Sequence, residues 1–262
     1  MRFAIIYSKK DIAGTNIVNQ FKELAFSPQI PIIELKNETI LTNIFKKDFP
    51  ELKDIDFLVY ASQHRSKDNK PALCLHAPGN WRNAGFGGKD GIVCLTSAFV
   101  LKYLFQQLNK NASNLTDYVI SLEATHHGPV TDIPCCFIEL GATEKEFNDK
   151  LAAIVIAKTI FSLQNFKKQE DWIPSIALGG GHYNQNFNKI QQNSKYAISH
   201  IIPTYAFPLT ESILKEAENK TKEQVQTILI DWKSLKAEQR DSALEIIKKL
   251  NLSYEKTTNI EK

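Results

Sequence analysis

The chain has 262 residues, 43% hydrophobic and 23% charged, with a formal net charge of +3. That mixture excludes a disordered or low-complexity chain, supplies a sizeable core, and carries too little charge to announce a nucleic-acid binder by itself. No apolar stretch reaches the roughly 20 residues that span a bilayer, and four cysteines without a paired C-x-x-C pattern read as reduced buried thiols, so a soluble cytoplasmic protein without membrane contact is expected.

The expected elements begin with a strand over "RFAIIYS", a helix through "TNIVNQFKELAF", and strands over "IPIIEL", "DFLVYAS" and "PALCLHA". A helix through "TSAFVLKYLFQQL" precedes strands "DYVISLEA" and "CCFIEL". Thr143 and Glu146 then form a T-x-x-E capping box before "FNDKLAAIVIAKTIFSLQNF", the longest apolar-periodic helix. Strands "IPSIALG" and "KYAISHI" and helices "TESILKEAEN" and "DSALEIIKKL" complete the series. Strands alternating with helices predict an α/β fold, a mainly parallel mixed sheet flanked by helices. No repeat or composition break divides residues 1–262, which are expected to form a single domain with 253–262 as a loose tail.

All six histidines fall at or just beyond the C-terminal end of a candidate strand: His64, His76, the adjacent His126 and His127, His182 and His200. In open α/β sheets ligands bind outside the carboxyl ends of the strands, so His76, His126, His127 and His182 are expected to line one concave site at that edge. Their surroundings are unusual. "HAPGNW" (76–81) sets an amide, Asn80, and an indole, Trp81, beside a Pro-Gly turn; "GFGGKD" (85–90) and "GGGHY" (179–183) are glycine loops, in which Gly180 and Gly181 allow close approach. Four of the 32 basic residues are arginine, and Arg65 and Arg82 flank histidine segments, where a planar guanidinium could grip an anion. Trp81 and Tyr183 could stack on a base or ribose.

In "EATHHGP" (123–129), neighbouring side chains on an extended strand point to opposite faces, so His126 and His127 share a target only if the chain bends, which Gly128-Pro129 allows. Glu123 is close enough to orient an imidazole. These are parts for activating water against an ester or amide. Neither a G-x-S-x-G elbow nor an H-E-x-x-H helix occurs.

Taken together and in order, "SKKDIAGTNI", "SQHRS", "PALCLHAPGNW", "EATHHGP", "FIELGAT" and "GGGHY" resemble the archaeal and plant type of D-aminoacyl-tRNA deacylase. The resemblance implies hydrolysis of the ester joining a D-amino acid to the 3′ end of tRNA. It also implies a fold similar to peptidyl-tRNA hydrolase and purine nucleoside phosphorylase, a zinc requirement, and a monomer. "GGGHYNQNF" departs from the pattern, with Asn186 where an arginine is expected. His126, His127, Glu123 and His76 are the candidate catalytic residues. His64, Arg65, Asn80, Trp81 and Arg82, with Gly180, Gly181 and Tyr183, are the candidate substrate contacts. His76, His126, His127 and His182 are the candidate zinc ligands, with His64 and Glu123 also available. Zinc-assisted water activation and a histidine general base both fit the residues. A peptidyl-tRNA hydrolase-like esterase and a non-catalytic RNA-binding module are the rival functions.

Overall fold

The computed structural model describes residues 1–24 and 30–261. Two sheets form where one was expected. The first has six strands in the order β2 (Ile32–Leu35), β1 (Phe3–Ser8), β3 (Phe57–Arg65), β6 (Cys135–Ala142), β4 (Ala72–His76) and β5 (Val119–Leu122). The second has four, β10 (Ser253–Lys256), β9 (Thr227–Ile230), β7 (Ile173–Leu178) and β8 (Tyr196–Ile202), all parallel. β1 and β6 are buried along their whole length, which is why they read as unbroken apolar runs rather than alternating ones.

One junction departs from parallel pairing. β4 lies antiparallel to β6, with Cys74 opposite Glu139 and His76 opposite Phe137, and β5 follows β4. The carboxyl ends of β4 and β5 therefore point away from those of β3 and β6.

Helices α1 (Ile12–Glu23), α2 (Ala98–Asn111) and α4 (Lys150–Phe161) cover one face of the first sheet through Val59, Ala61, Leu73, Leu75, Ile138 and Leu140. α2 also packs on β8 and so joins the two sheets. Ser97 caps α2 by accepting from the Val100 N–H. The capping box of Thr143 and Glu146 is present, but it opens a single turn, α3 (Glu144–Phe147); the longer α4 has its own cap, Asp149, which accepts from Leu151 and Ala152. A second core, around Ile176, Ile202, Ile228 and Ile230, lies under α6 (Glu211–Asn219) and α7 (Ala237–Lys249).

Three elements escape the sequence. β9 is only four residues long. α5 (Gln185–Asn193) carries just two buried apolar residues, Phe187 and Ile190. Residues 253–256, expected as a loose tail, form edge strand β10, held by backbone pairing with β9 while Ser253 and Tyr254 stay exposed, so no apolar signal marks them. The expected helix end at Ala25 and Phe26 lies outside the described residues. Among the described residues no helix is long and apolar enough to cross a membrane.

Candidate active site

Along a strand, alternate side chains share a face. Cys135 and Phe137 of β6 and Leu58 and Tyr60 of β3 belong to a core on the side away from α1 and α4. Alternation places Ser62 and His64, Cys74 and His76, and Glu139 on that same side. The antiparallel junction then sets the end of β4 against the middle of β6, so the site lies over a sheet face. The expected position at a shared C-terminal edge is thereby corrected: histidines that close strands of opposite direction cannot meet at one edge.

The segment following β5 completes the site by bridging the two sheets. The Glu123 amide donates to Leu75, that of Ala124 to the His182 carbonyl, and that of Thr125 to the Ile201 carbonyl, while the Gly79 amide reaches His126 and His127. His127 then takes a left-handed backbone, φ 47°, ahead of the cis Gly128–Pro129 bond. This turn brings neighbouring side chains to one place. The His126 ring centre lies 4.2 Å from that of His76, 4.3 Å from His127 and 4.4 Å from His182, and His76 and His127 are 4.9 Å apart.

The imidazoles share an orientation. Nδ1 of His76, His126 and His127 donates to the carbonyls of Ala77, Ala124 and Gly128 at 3.2, 2.8 and 2.6 Å. A carbonyl can only accept, so Nδ1 carries the proton and the Nε2 of each is left with a lone pair. His182 contacts the Tyr205 hydroxyl through Nδ1 at 3.2 Å, and Tyr183 meets His64 Nε2 at 2.9 Å.

Two carboxylates lie beneath the rings. Glu123 Oε1 is 3.1 Å from His182 Nε2 and 3.3 Å from His64 Nδ1; Glu139 is 3.4 Å from His64 Nδ1, 3.5 Å from His76 Nε2 and 3.6 Å from His127 Nε2. Burial alone would raise the Glu139 pKa, but the adjoining imidazoles of His127, His64 and His76 overcome it and hold the carboxylate well below its ordinary range. Burial lowers the pKa of His64 and His76, and Glu139 and Glu123 more than restore it, so both end raised. His126 is driven well below its usual value by burial and by the neighbouring imidazoles His76, His127 and His182, which leaves it neutral at neutral pH.

His76 Nε2 and both oxygens of Glu123 are buried without a hydrogen-bond partner. Such orphans are costly. Their donor atoms fall into groups within 4.8 Å of one another: His76, His126 and His127; Glu123, His126 and His182; and His76, Glu123 and Glu139. Nitrogen and carboxylate donors, with the other ring nitrogen of His76, His126 and His127 tied to a carbonyl and that of His182 to the Tyr205 hydroxyl, suit a zinc ion.

A cavity of about 660 Å³ opens above this cluster and is lined by His64, Arg65, Asn80, His126, His127, Glu139 and His182, together with Phe86 and Tyr205. Several expected substrate contacts have other duties. Trp81 borders the cavity but is only 6% exposed, and its indole N–H donates to the Ile201 carbonyl, so little of its face is open for stacking. Arg82 also borders the cavity, yet its guanidinium is committed to the carbonyls of Ala206 and Pro208. Gly180, at φ 74°, serves a turn: its amide donates to Ser234 and a Cβ there would lie 1.6 Å from Asn184 Nδ2. Neighbouring Gly181 belongs to the same turn. Asn80 braces the glycine loop through the Gly87 carbonyl. Asn186, the departure in the motif, donates to Asp231 in the first turn of α5. His200 stands apart from the other five rings, bonded to Thr125 and to the Lys220 carbonyl.

Glu139 was missed by sequence reading. The signal was present: one carboxylate inside "CCFIELGA", a fully buried strand, where an unpaired charge is prohibitive.

Residues 51–255 match the family model described as D-aminoacyl-tRNA deacylase. A D-aminoacyl-tRNA deacylase of Caldivirga maquilingensis is 32% identical over 97% of this chain and 98% of its own length. One from Methanocaldococcus jannaschii is 30% identical over 98% of this chain and 100% of its own. The crystal structure of a conserved protein of unknown function superposes with a TM-score of 0.89 at 26% identity, covering 98% of this chain and 96% of that one.

Proposed function

The chain belongs to the D-aminoacyl-tRNA deacylase family, and we propose that its histidine-lined cavity hydrolyses the ester between a D-amino acid and the 3′ end of tRNA, releasing both. The observation that carries this reading is the set of three imidazoles, His76, His126 and His127, each tied through Nδ1 to a carbonyl and clustered with two buried carboxylates, Glu123 and Glu139. A non-catalytic RNA-binding module has no use for that cluster.

The donor set suits zinc, which His76, His126 and His127 would hold with Glu123 and His182 adjoining. When bound, zinc lowers the pKa of water and polarises an ester carbonyl. The chain's own residues do the rest. The cavity admits the aminoacyl end above the rings. Glu139, held ionised, sets a negative charge beneath His64, His76 and His127. Glu123 Oε1, beside His182 Nε2, is placed to take the proton of the attacking water and share it with that imidazole. His126, neutral and with Nδ1 occupied, keeps Nε2 free as ligand or base. Arg65 is the cavity's candidate phosphate contact. The fold is read as similar to peptidyl-tRNA hydrolase and purine nucleoside phosphorylase, and the protein as a cytoplasmic monomer.

Matched D- and L-tyrosyl-tRNA, incubated with the protein before and after chelation, test this reading. Hydrolysis confined to the D form, lost with chelator and restored by zinc, is expected. Full activity in metal-free protein leaves the histidine base. Hydrolysis of N-acetyl-L-aminoacyl-tRNA in place of the D ester would instead indicate a peptidyl-tRNA hydrolase.

A further inference from the structure

Phe86 is 73% exposed, the largest exposure among the big hydrophobic side chains of the described residues, yet its backbone is among the most tightly held. The Phe86 carbonyl accepts from the Gly128 amide at 2.9 Å, one residue beyond His127. The next carbonyl, of Gly87, accepts from Asn80 Nδ2 at 2.9 Å. Packing on the far side of Phe86 leaves no room for a side chain, since a Cβ at Gly87 would lie 2.0 Å from the Ile40 carbonyl oxygen and one at Gly128 would lie 2.4 Å from the Gly88 nitrogen, whereas Gly85 before it is open. A rigid loop thus presents a bare aromatic face in the cavity wall, next to the imidazoles.

We propose that Phe86 is the stacking platform for the base of the 3′-terminal nucleoside of the tRNA. The inference rests on the hydrolysis proposed above. An aminoacyl ester at His126 and His127 carries its base only one ribose away, and the Gly128–Phe86 bond places the ring at that side of the imidazoles. Every base has a flat face that an aromatic ring can cover. Of the two rings beside the histidine segments in sequence, Trp81 is buried, and Tyr183 is engaged through its hydroxyl with His64 Nε2.

The test uses the full-length protein and the tetranucleotide 5′-ACCA-3′, which carries no ester. Phe86→Ala should weaken binding about tenfold or more, Phe86→Leu should weaken it similarly because it keeps bulk but no ring, and Phe86→Tyr should bind as wild type. With D-tyrosyl-tRNA, Phe86→Ala and Phe86→Leu should raise KM by a similar factor at nearly constant kcat. Equal tetranucleotide binding by wild type, Phe86→Ala and Phe86→Leu overturns the proposal, as does a sedimenting dimer that Phe86→Ala dissociates, since a second copy would then cover the ring. Ring-dependent tetranucleotide binding by a protein that hydrolyses no aminoacyl-tRNA would keep the platform and remove the activity.

Discussion

His126 and His127 are neighbours in sequence, and their ring centres lie 4.3 Å apart because His127 adopts a left-handed backbone. The extended geometry that would separate them is broken at the histidine itself, one residue earlier than the Gly-Pro pair suggests. That conformation costs a residue with a Cβ about 1–2 kcal/mol. His127→Gly removes the cost but gains unfolded-chain freedom of about 1 kcal/mol, so its stability in urea should stay within about 1 kcal/mol of wild type. Its hydrolysis rate should fall by about 10²-fold or more. A rate near wild type would strip His127 of its role.

Glu139 contacts three imidazoles from one buried position. Glu139→Gln keeps the shape and loses the charge, so the donor cluster loses the negative charge that favours a bound cation and an imidazolium. Zinc affinity and hydrolysis should each drop by about 10- to 100-fold, measured by metal titration and by D-tyrosyl-tRNA turnover. Unchanged zinc affinity would reduce Glu139 to a packing residue.

Arg65 and Arg82 look alike in sequence and differ in the fold. Arg65 is exposed, reaches Gln63 at 3.3 Å and lies 5.4 Å from the centre of the Phe147 ring. Arg65→Ala should weaken tRNA binding and lower the slope of log affinity against log salt by about 1. Arg82→Ala, which frees the carbonyls of Ala206 and Pro208, should cost about 0.5–1.5 kcal/mol of stability and leave the salt slope alone. The reverse pattern would return Arg82 to the phosphate side.

His200 predicts an acid limb to stability. Burial pushes its pKa down to about 4, and the ring accepts from Thr125 through Nδ1 while donating to the Lys220 carbonyl through Nε2. Folding favours the neutral ring. Its contribution is therefore complete above the unfolded value near 6.5 and is lost as pH falls from there toward 4, by ~3 kcal/mol at the limit. Urea denaturation at pH 7 and pH 4.5 should show a smaller loss for His200→Asn than for wild type; equal losses would place the acid sensitivity elsewhere.

The histidines were legible because apolar runs ended at them, and β1, β3, β4 and β6 were legible because each is several residues of mostly buried apolar chain. The direction of β4 was not legible: "PALCLHA" is equally good as a parallel or antiparallel partner, since pairing direction is set by how the chain crosses over and leaves no mark in a strand's composition. The position of the site over a sheet face depended on that direction. The duties of Trp81 and Arg82 were hidden for a related reason. Their partners are main-chain carbonyls more than 100 residues away, and a carbonyl has no letter in the sequence.

The bridge formed by Glu123 to His126 has a further consequence. Its amides are received by Leu75 on one side and by His182 and Ile201 on the other, so the pocket exists only while the two sheets remain docked through the core they share. His182 alone among the five clustered rings comes from the part of the chain that builds the second layer. A partial opening at this seam would dismantle the chemistry and would also breach the larger core, which takes Ala177, Ile198, Ile201 and Leu229 from the second sheet. Catalytic competence is thus a more sensitive gauge of how the halves fit together than any measure of helix or strand content.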